Sequence, residues 1–321
     1  MDDKVIILMA TYNGEAFLIE QLESIVHQTY QNWELYIRDD QSTDGTMVIL
    51  NSYALIDNRI KILNIDGPHG SPSLNFGVLF NYIVAIKPDY LMFADQDDVW
   101  NLNKIAVSLS FMQTIAQSEP AFFPLLIYGQ FQFVNEKTTT IHQELRMPST
   151  LTMQTLLISN YGYGCTMMLN GALIERIRKI PETAEFHDYW ISLTACAFGK
   201  AVLLPQKLLK YRQHHKNVST NVHSRNISSR IRRYAHSHTE RLPLLIKQHK
   251  MILVFFETYQ HYMKEYELLL IQGYLKALNE SKLTLLIYLI RKKLRKLGLL
   301  QTLAHFYALI YLKNKISKEI S

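Results

Sequence analysis

The chain is poor in residues that cross-link or interrupt a fold. Cysteine occurs twice in 321 residues, at Cys165 and Cys196, both within apolar stretches and without C-x-x-C spacing. This excludes a disulfide framework and a cysteine-rich zinc cluster, and it fits a reducing compartment. Twelve glycines and nine prolines fall below average usage, which excludes collagen-like and low-complexity architectures and predicts long regular elements. Long apolar runs are also missing. The longest, Leu297 to Leu312, is broken by Gln301, Thr302 and His305 and falls short of the ~20 residues that span a bilayer. Met1-Asp2-Asp3-Lys4 leads straight into Val5-Ile6-Ile7-Leu8, with no basic n-region or small-residue cleavage site, so no secretory signal is expected.

What is present is 48% hydrophobic and 19% charged residues, enough for a buried core in one large domain or in one domain with a sizeable appendage. The formal charge of +6 hides a division. Residues 1–200 carry net −10, whereas residues 201–321 carry net +16. An acidic body suits a metal or a sugar, and a basic tail suits nucleic acid, anionic lipid or an acidic partner.

Strand-type runs alternate with helical patterns through the first hundred residues. Val5–Met9 reads as a strand buried on both faces, followed by Leu18, Leu22, Ile25 and Val26 at helical spacing. Trp33–Arg38 is a second strand, Thr46–Ala54 a helix, Ile60–Asn64 a third strand, Leu74–Ile86 a helix and Tyr90–Ala94 a fourth strand. This is βαβ repetition around a parallel sheet. Beyond residue 100 the pattern is mixed: helices at Lys104–Gln117 and Asp188–Phe198, and strands near Leu125–Tyr128, Gln132–Val134, Cys165–Leu169 and Ala201–Leu204. From about Ser224 the apolar residues keep helical spacing between Lys and Arg clusters. The expected division is therefore an α/β body over 1–220, whose pattern changes near residue 100, and a basic helical region over 221–321.

Ligands of open α/β sheets sit beyond the carboxyl ends of the strands, where strand order reverses. Polar clusters occupy those ends here: Thr11-Tyr12-Asn13, Asp39-Asp40 and Asp95-Gln96-Asp97-Asp98. Three carboxylates within four residues repel unless a hard divalent cation such as Mg²⁺ or Mn²⁺ neutralises them, which would leave positions open for a diphosphate. The alternative is a surface turn with an aspartate capping the next helix. Asp39, Asp40 and Asp44 admit the same two readings: turn and cap chemistry, or, for Asp40, a hydrogen bond to a ribose hydroxyl or a pyrimidine imide.

The ordered series Ala10-Thr11-Tyr12-Asn13-Gly14, Gln28-Thr29-Tyr30, Asp39-Asp40-Gln41-Ser42-Thr43-Asp44 and Asp95-Gln96-Asp97-Asp98-Val99-Trp100 resembles the inverting glycosyltransferases of family 2, within them the rhamnosyltransferase-like bacterial group. The resemblance covers about residues 4–220, and Gly164-Cys165-Thr166-Met167-Met168, His187-Asp188-Tyr189-Trp190 and Tyr211-Arg212-Gln213-His214 agree with it. It implies a GT-A fold, an α/β class with a mostly parallel central sheet flanked by helices, with residues 1–220 as the catalytic domain, its nucleotide-sugar half at about 1–100 and its acceptor half at about 101–220. It also implies that Thr11, Tyr12, Asn13 and Asp40 hold the nucleoside, that Asn75 and Asp95 lie near the donor, and that Asp95 and Asp97 bind metal. His214 would complete the metal shell or contact the diphosphate. Asp188 matches the general base. The sequence departs from the family at Gln41, where glycine is usual, at His187, where most members have Glu, and at His215, where the group often has glycine.

The chemistry is coherent in its own terms. Attack of an acceptor hydroxyl on an anomeric carbon needs a base, suited to Asp188, and stabilisation of the departing nucleoside diphosphate, suited to a cation held by Asp95 and Asp97. One base opposite the leaving group means a single displacement with inversion. Asp188 also reads as a helix cap, and Tyr189 and Trp190 as core or as a wall for an acceptor sugar. The basic clusters at Arg225–Arg233 and Arg291–Lys296, the latter followed by Phe306, Tyr307 and Tyr311, predict either attachment to an anionic membrane surface or packing on the catalytic domain or a second copy. Nucleic acid is disfavoured for want of an aromatic-interleaved platform. The expected activity is transfer of rhamnose or a hexose from a dTDP- or UDP-sugar to a growing, lipid-linked surface glycan at the cytoplasmic membrane face. The alternative is a catalytically silent scaffold of the same fold.

Overall fold

The computed structural model describes residues 3–67, 70–184, 186–215 and 238–320. The chain divides into two compact units, one of Met1–Leu151 with Gly162–His215 and one of Thr152–Tyr161 with Lys216–Ser321. The expected boundary after residue 220, and the cluster Arg225–Arg233, lie outside the described residues.

The first unit is built on an eight-stranded sheet: β1 (Val5–Thr11), β2 (Trp33–Asp39), β3 (Ile60–Ile62), β4 (Tyr90–Asp95), β5 (Val99–Trp100), β6 (Leu125–Val134), β7 (Met168–Asn170) and β8 (Lys200–Arg212), in the order β3-β2-β1-β4-β7-β6-β8-β5. The first four are parallel; β7 runs antiparallel to β4 and β6. All seven residues of β1 are buried, as its unbroken apolar run predicts. Val5, Ile7 and Met9 join Leu18, Leu22 and Ile25 of helix α1 (Leu18–Val26) in the core, and helix α3 (Pro72–Ile83) also packs on β1. Helix α2 (Thr46–Ile56) connects β2 to β3.

Register places the site. Thr11 of β1 lies opposite Asp39 of β2, and Ala10 opposite Asp95 of β4, so the polar ends of three strands emerge side by side. The chain proceeds from β1 outward to β3 and then crosses back to β4 on the other side of β1, so these ends flank the point where strand order reverses.

Beyond residue 100 the fold differs from expectation in its details. The two strands expected between 125 and 134 are one, with irregular pairing at Gly129 to Gln132, and β8 runs thirteen residues rather than four. Pro205, which has no N–H to give a ladder, falls where β8 is bulged against β6 between Leu204 and Lys207. Helices α4 (Lys104–Ala116), α6 (Gly171–Ile177) and α7 (His187–Phe198) complete this unit; Asn170 caps α6 by accepting the Leu173 N–H at 3.0 Å.

The described residues of the second unit form helices joined by turns, with no strand among them: α5 (Met153–Leu156), α8 (His238–Tyr259), α9 (Glu265–Asn279), α10 (Lys282–Arg291) and α11 (Leu299–Ile320). The segment around α5 is tied to the later helices, where Leu297 N–H donates to the Tyr161 hydroxyl at 3.2 Å. Among the described residues no helix is long and apolar enough to cross a membrane.

Candidate active site

At the β1 and β2 ends, Asp39 organises the turn. It accepts the Thr11 hydroxyl at 2.7 Å and both the Ser42 N–H and hydroxyl at 2.7 Å. Asn13 sits at φ +45°, a conformation asparagine tolerates, and its carbonyl oxygen accepts the Thr43 N–H at 2.8 Å while its own N–H donates to Ser42 Oγ at 2.8 Å. Gln41 has φ +64°, which explains the glycine usual at that place: the turn needs a left-handed residue. Tyr12 is 56% exposed, so its ring is available to lie against a planar ligand. Its backbone is paired in both directions with the Gln96 side chain, at 2.8 and 3.0 Å, which links the β1 end to the acidic turn after β4.

Asp40 is buried, accepts the Gly70 N–H at 2.9 Å and lies 3.7 Å from the Arg38 guanidinium. Arg38 is one of the residues that the sequence reading missed. Fully buried, it donates to Ile65 O, Gly67 O and Asn75 Oδ1, and Asn75 Nδ2 returns a hydrogen bond to Arg38 O at 3.0 Å. Asn75 is therefore placed to hold Arg38, and through it the wall of the Asp40 loop. Replacing Asn75 with alanine is expected to strip a partner from a buried cation and lower stability by about 2 kcal/mol, read as a drop in the urea midpoint; a change within error would remove Asn75 from this role.

After β4, Asp95 is half-buried. Burial first, and then the charge of Asp97, push its carboxyl up to about 7, with Asp188 adding in the same direction. Asp97 Oδ2 lies 2.7 Å from His214 Nε2. Asp98 is fully buried, not a surface cap: Oδ1 accepts the Arg212 N–H at 3.2 Å, Oδ2 meets no hydrogen-bond partner among the described residues, and burial raises its carboxyl well above the ordinary range. The ligand atoms of Asp95, Asp98 and Cys165 lie within 4.8 Å of one another.

Two buried cations support this turn. Arg212 donates through Nε to Asp97 O at 2.7 Å and through Nη2 to Glu20 Oε2 at 2.7 Å, and its guanidinium stacks over Phe17. Lys104, only 2% exposed, donates to Cys165 O at 2.6 Å with its ammonium 3.5 Å from the Trp100 ring centre; burial lowers it to about 7 against the pull of Asp98 and Asp95. Nothing in the sequence around Lys104 marks it as buried, because its hydrogen-bond partner comes from a distant segment.

The donor chemistry separates two groups. Asp98 and Cys165 are held protonated by burial, the thiol well above its usual range, so they form a neutral floor. Asp97 and His214, joined by a hydrogen bond from the ring Nε2–H to the carboxylate, and Asp95 beside them offer carboxylate and, once that ring proton is given up, imidazole ligands of the kind Mn²⁺ or Mg²⁺ takes. The residues present thus fit a hard divalent cation.

Asp188 stands second in α7, whose cap position is Phe186, so the capping alternative does not hold. Its Oδ2 accepts the Gly164 N–H at 3.2 Å. Burial pushes its carboxyl up to about 7, although hydrogen bonds from the Gly164, Tyr189 and Asp188 amides favour the anion. Gly164 precedes Cys165 in one 3₁₀ turn, Gly164–Thr166, so the same turn meets Asp188 on one side and the acidic cluster on the other. His187 is packed between Phe76 and Phe93, and burial lowers it to about 3, which keeps it neutral. For Tyr189 and Trp190 the burial favours the core reading of the two that the sequence left open. At 3% and 1% exposure they are core, because α7 is covered on nearly every face, and neither ring is open to an acceptor sugar.

A mostly parallel sheet with carboxylates at adjoining strand ends, and the Asp188 carboxylate beside the turn that meets them, is the architecture of the GT-A fold class. A profile described as Glycosyl transferase family 2 matches residues 6–176, and the chain belongs to that family; the protein is a glycosyltransferase. The UDP-Glc:alpha-D-GlcNAc-diphosphoundecaprenol beta-1,3-glucosyltransferase WfgD of Escherichia coli is 28% identical over 223 residues, covering 69% of this chain and 82% of that one. The dTDP-rhamnosyl transferase RfbG of Shigella flexneri is 40% identical over 98 residues, 30% of this chain and 34% of its own. Among solved structures, S. aureus TarS 1-349 in complex with UDP-GlcNAc superposes with a TM-score of 0.53 at 15% identity over 97% of this chain and 91% of that one, a likeness of fold.

Proposed function

We propose that the protein moves rhamnose or a hexose from a dTDP- or UDP-sugar to a growing, lipid-linked cell-surface glycan, in a metal-dependent single displacement that inverts the anomeric carbon. The observation that carries this reading is the 3₁₀ turn at Gly164–Thr166, which joins Asp188 to the Asp95–Asp98 cluster. Thr11, Tyr12, Asn13 and Asp40 hold the nucleoside, with the Tyr12 ring as the exposed face against the base. Asp97 and His214, with Asp95, hold Mn²⁺ or Mg²⁺. When bound, this ion stabilises the negative charge that develops on the departing diphosphate. Asp188, raised to about 7, takes the proton of the acceptor hydroxyl as its oxygen bonds to carbon.

RfbG and WfgD support the donor and acceptor assignments through what their names record: a dTDP-rhamnosyl donor in one, and UDP-glucose with a diphosphoundecaprenol-linked acceptor in the other. A lipid-linked acceptor places the protein at the cytoplasmic membrane face, attached peripherally through the basic helical region. A panel of UDP-, dTDP- and GDP-sugars assayed for release of nucleotide tests the donor assignment. Turnover of a UDP- or dTDP-sugar is expected, and release from GDP-sugars alone would overturn it.

A further inference from the structure

Helix α10 is apolar on two opposite faces. Leu285 and Leu289 are fully buried, whereas Leu283, Ile287 and Ile290, spaced to share the other side, are 65%, 45% and 60% exposed. Helix α11 repeats the pattern. Leu309, Leu312 and Ile316 are buried, and Leu300, Leu303, Tyr307 and Tyr311 form an exposed row, with the two tyrosine rings stacked at 6.1 Å. Phe306, expected at an interface from the sequence, is half-buried and does not belong to this row. An ordinary surface helix needs one apolar stripe, and a second one in water is unfavourable unless something covers it.

The segment between these helices carries the charge. Arg291, Lys292, Lys293 and Arg295 are exposed, while Leu294 among them is fully buried and pins the loop. On α11 the exposed apolar row gives way to exposed Lys315 and Lys318. From residue 281 to 318 there are nine Lys and Arg and not one Asp or Glu. A second copy of this surface would bring cations against cations with no acid to pair them. A bilayer rich in anionic headgroups offers the complement: phosphates for the Arg and Lys, and an apolar layer beneath for the leucine, isoleucine and tyrosine side chains.

We infer that the outer faces of α10 and α11, joined by the Arg291–Lys296 loop, form the surface by which this protein lies on an anionic phospholipid membrane, both helices in its plane. The inference rests on the membrane reading of the proposed function and adds the face, the orientation of the helices and the part taken by α10, which the sequence did not mark.

The test is co-sedimentation of the full chain with vesicles of phosphatidylglycerol and phosphatidylcholine, compared with phosphatidylcholine alone. The unaltered chain is expected to bind only the anionic vesicles and to be released by salt. Joint replacement of Leu283, Ile287 and Ile290 with serine is expected to weaken binding at least about tenfold, and Arg291→Gln with Lys292→Gln and Lys293→Gln about a hundredfold, at unchanged Tm. Should the serine variant lose Tm, Tyr307→Ser with Tyr311→Ser carries the same test on α11. Failure of the unaltered chain to bind anionic vesicles overturns the membrane reading itself. Binding by the unaltered chain that the α10 and α11 variants share undiminished overturns this inference alone, as does a dimer that these substitutions split.

Discussion

Asp188→Asn is expected to lower kcat for sugar transfer by about a thousand-fold while leaving nucleotide-sugar affinity unchanged. The amide keeps an oxygen for the Gly164 N–H at 3.2 Å, so the turn is retained while the proton acceptor is lost. The wild-type rate has a matching pH dependence. Burial raises the Asp188 carboxyl to about 7, and only the anion is a base, so kcat should rise as pH passes through about 7 and level off above it. The same shift has a stability consequence of definite sign. The folded state holds this proton more tightly than the unfolded chain, whose carboxyl titrates near 3.8, so stability falls as pH rises from there through about 7. The asparagine variant lacks that loss and should be more stable than the wild type at pH 8, by on the order of 2 kcal/mol after allowance for partial exposure, and no more stable at pH 4. An inactive variant with equal or lower Tm at pH 8 would deny the burial origin of the shift, and a variant with full transfer activity would remove Asp188 as the base.

The second large effect concerns Asp97. Asp97→Asn is expected to reduce transfer by about a hundred-fold or more and to raise the Mn²⁺ concentration needed for half-maximal rate, since a neutral amide is a poor ligand beside His214. Chelator should abolish wild-type transfer and also the thermal stabilisation by UDP or dTDP, with Mn²⁺ restoring both. Equal nucleotide stabilisation with Mn²⁺ and with chelator would overturn the metal assignment. Arg212 makes a useful contrast, because it holds the backbone oxygen of Asp97 and not its carboxylate; Arg212 variants should lose Tm and activity together.

The parts of this fold legible in the sequence were those that local pattern determines. β1 and β4 are apolar runs buried on both faces, and their polar ends follow from where such runs stop. Gly129 made β6 read as two strands and Pro205 truncated β8, because the bulges that accommodate such residues depend on the partner strand. The two residues of β5 carry no pattern at all. The same division holds for the site. The aspartates were visible by position, but Arg38, Lys104 and the clamp made by Arg212 depend on pairings between distant segments, such as Arg212 with Glu20. Tyr189 and Trp190 stayed open between core and acceptor wall because an aromatic pair beside an aspartate looks the same in sequence whether its helix is half-covered or wholly enclosed.

The short excursion Thr152–Tyr161 belongs to the second unit although it interrupts the first. Its Leu156, Leu157 and Ile158 are buried, yet the helices of its own unit follow it by some eighty residues. During synthesis at about 5–20 residues per second, this segment therefore waits several seconds before its partners exist. A shortened chain ending near residue 215 would leave it without them permanently. The catalytic unit is thus not separable by a single cut, and a loss of function on removing the tail reports a stranded apolar segment before it reports anything about what the tail touches.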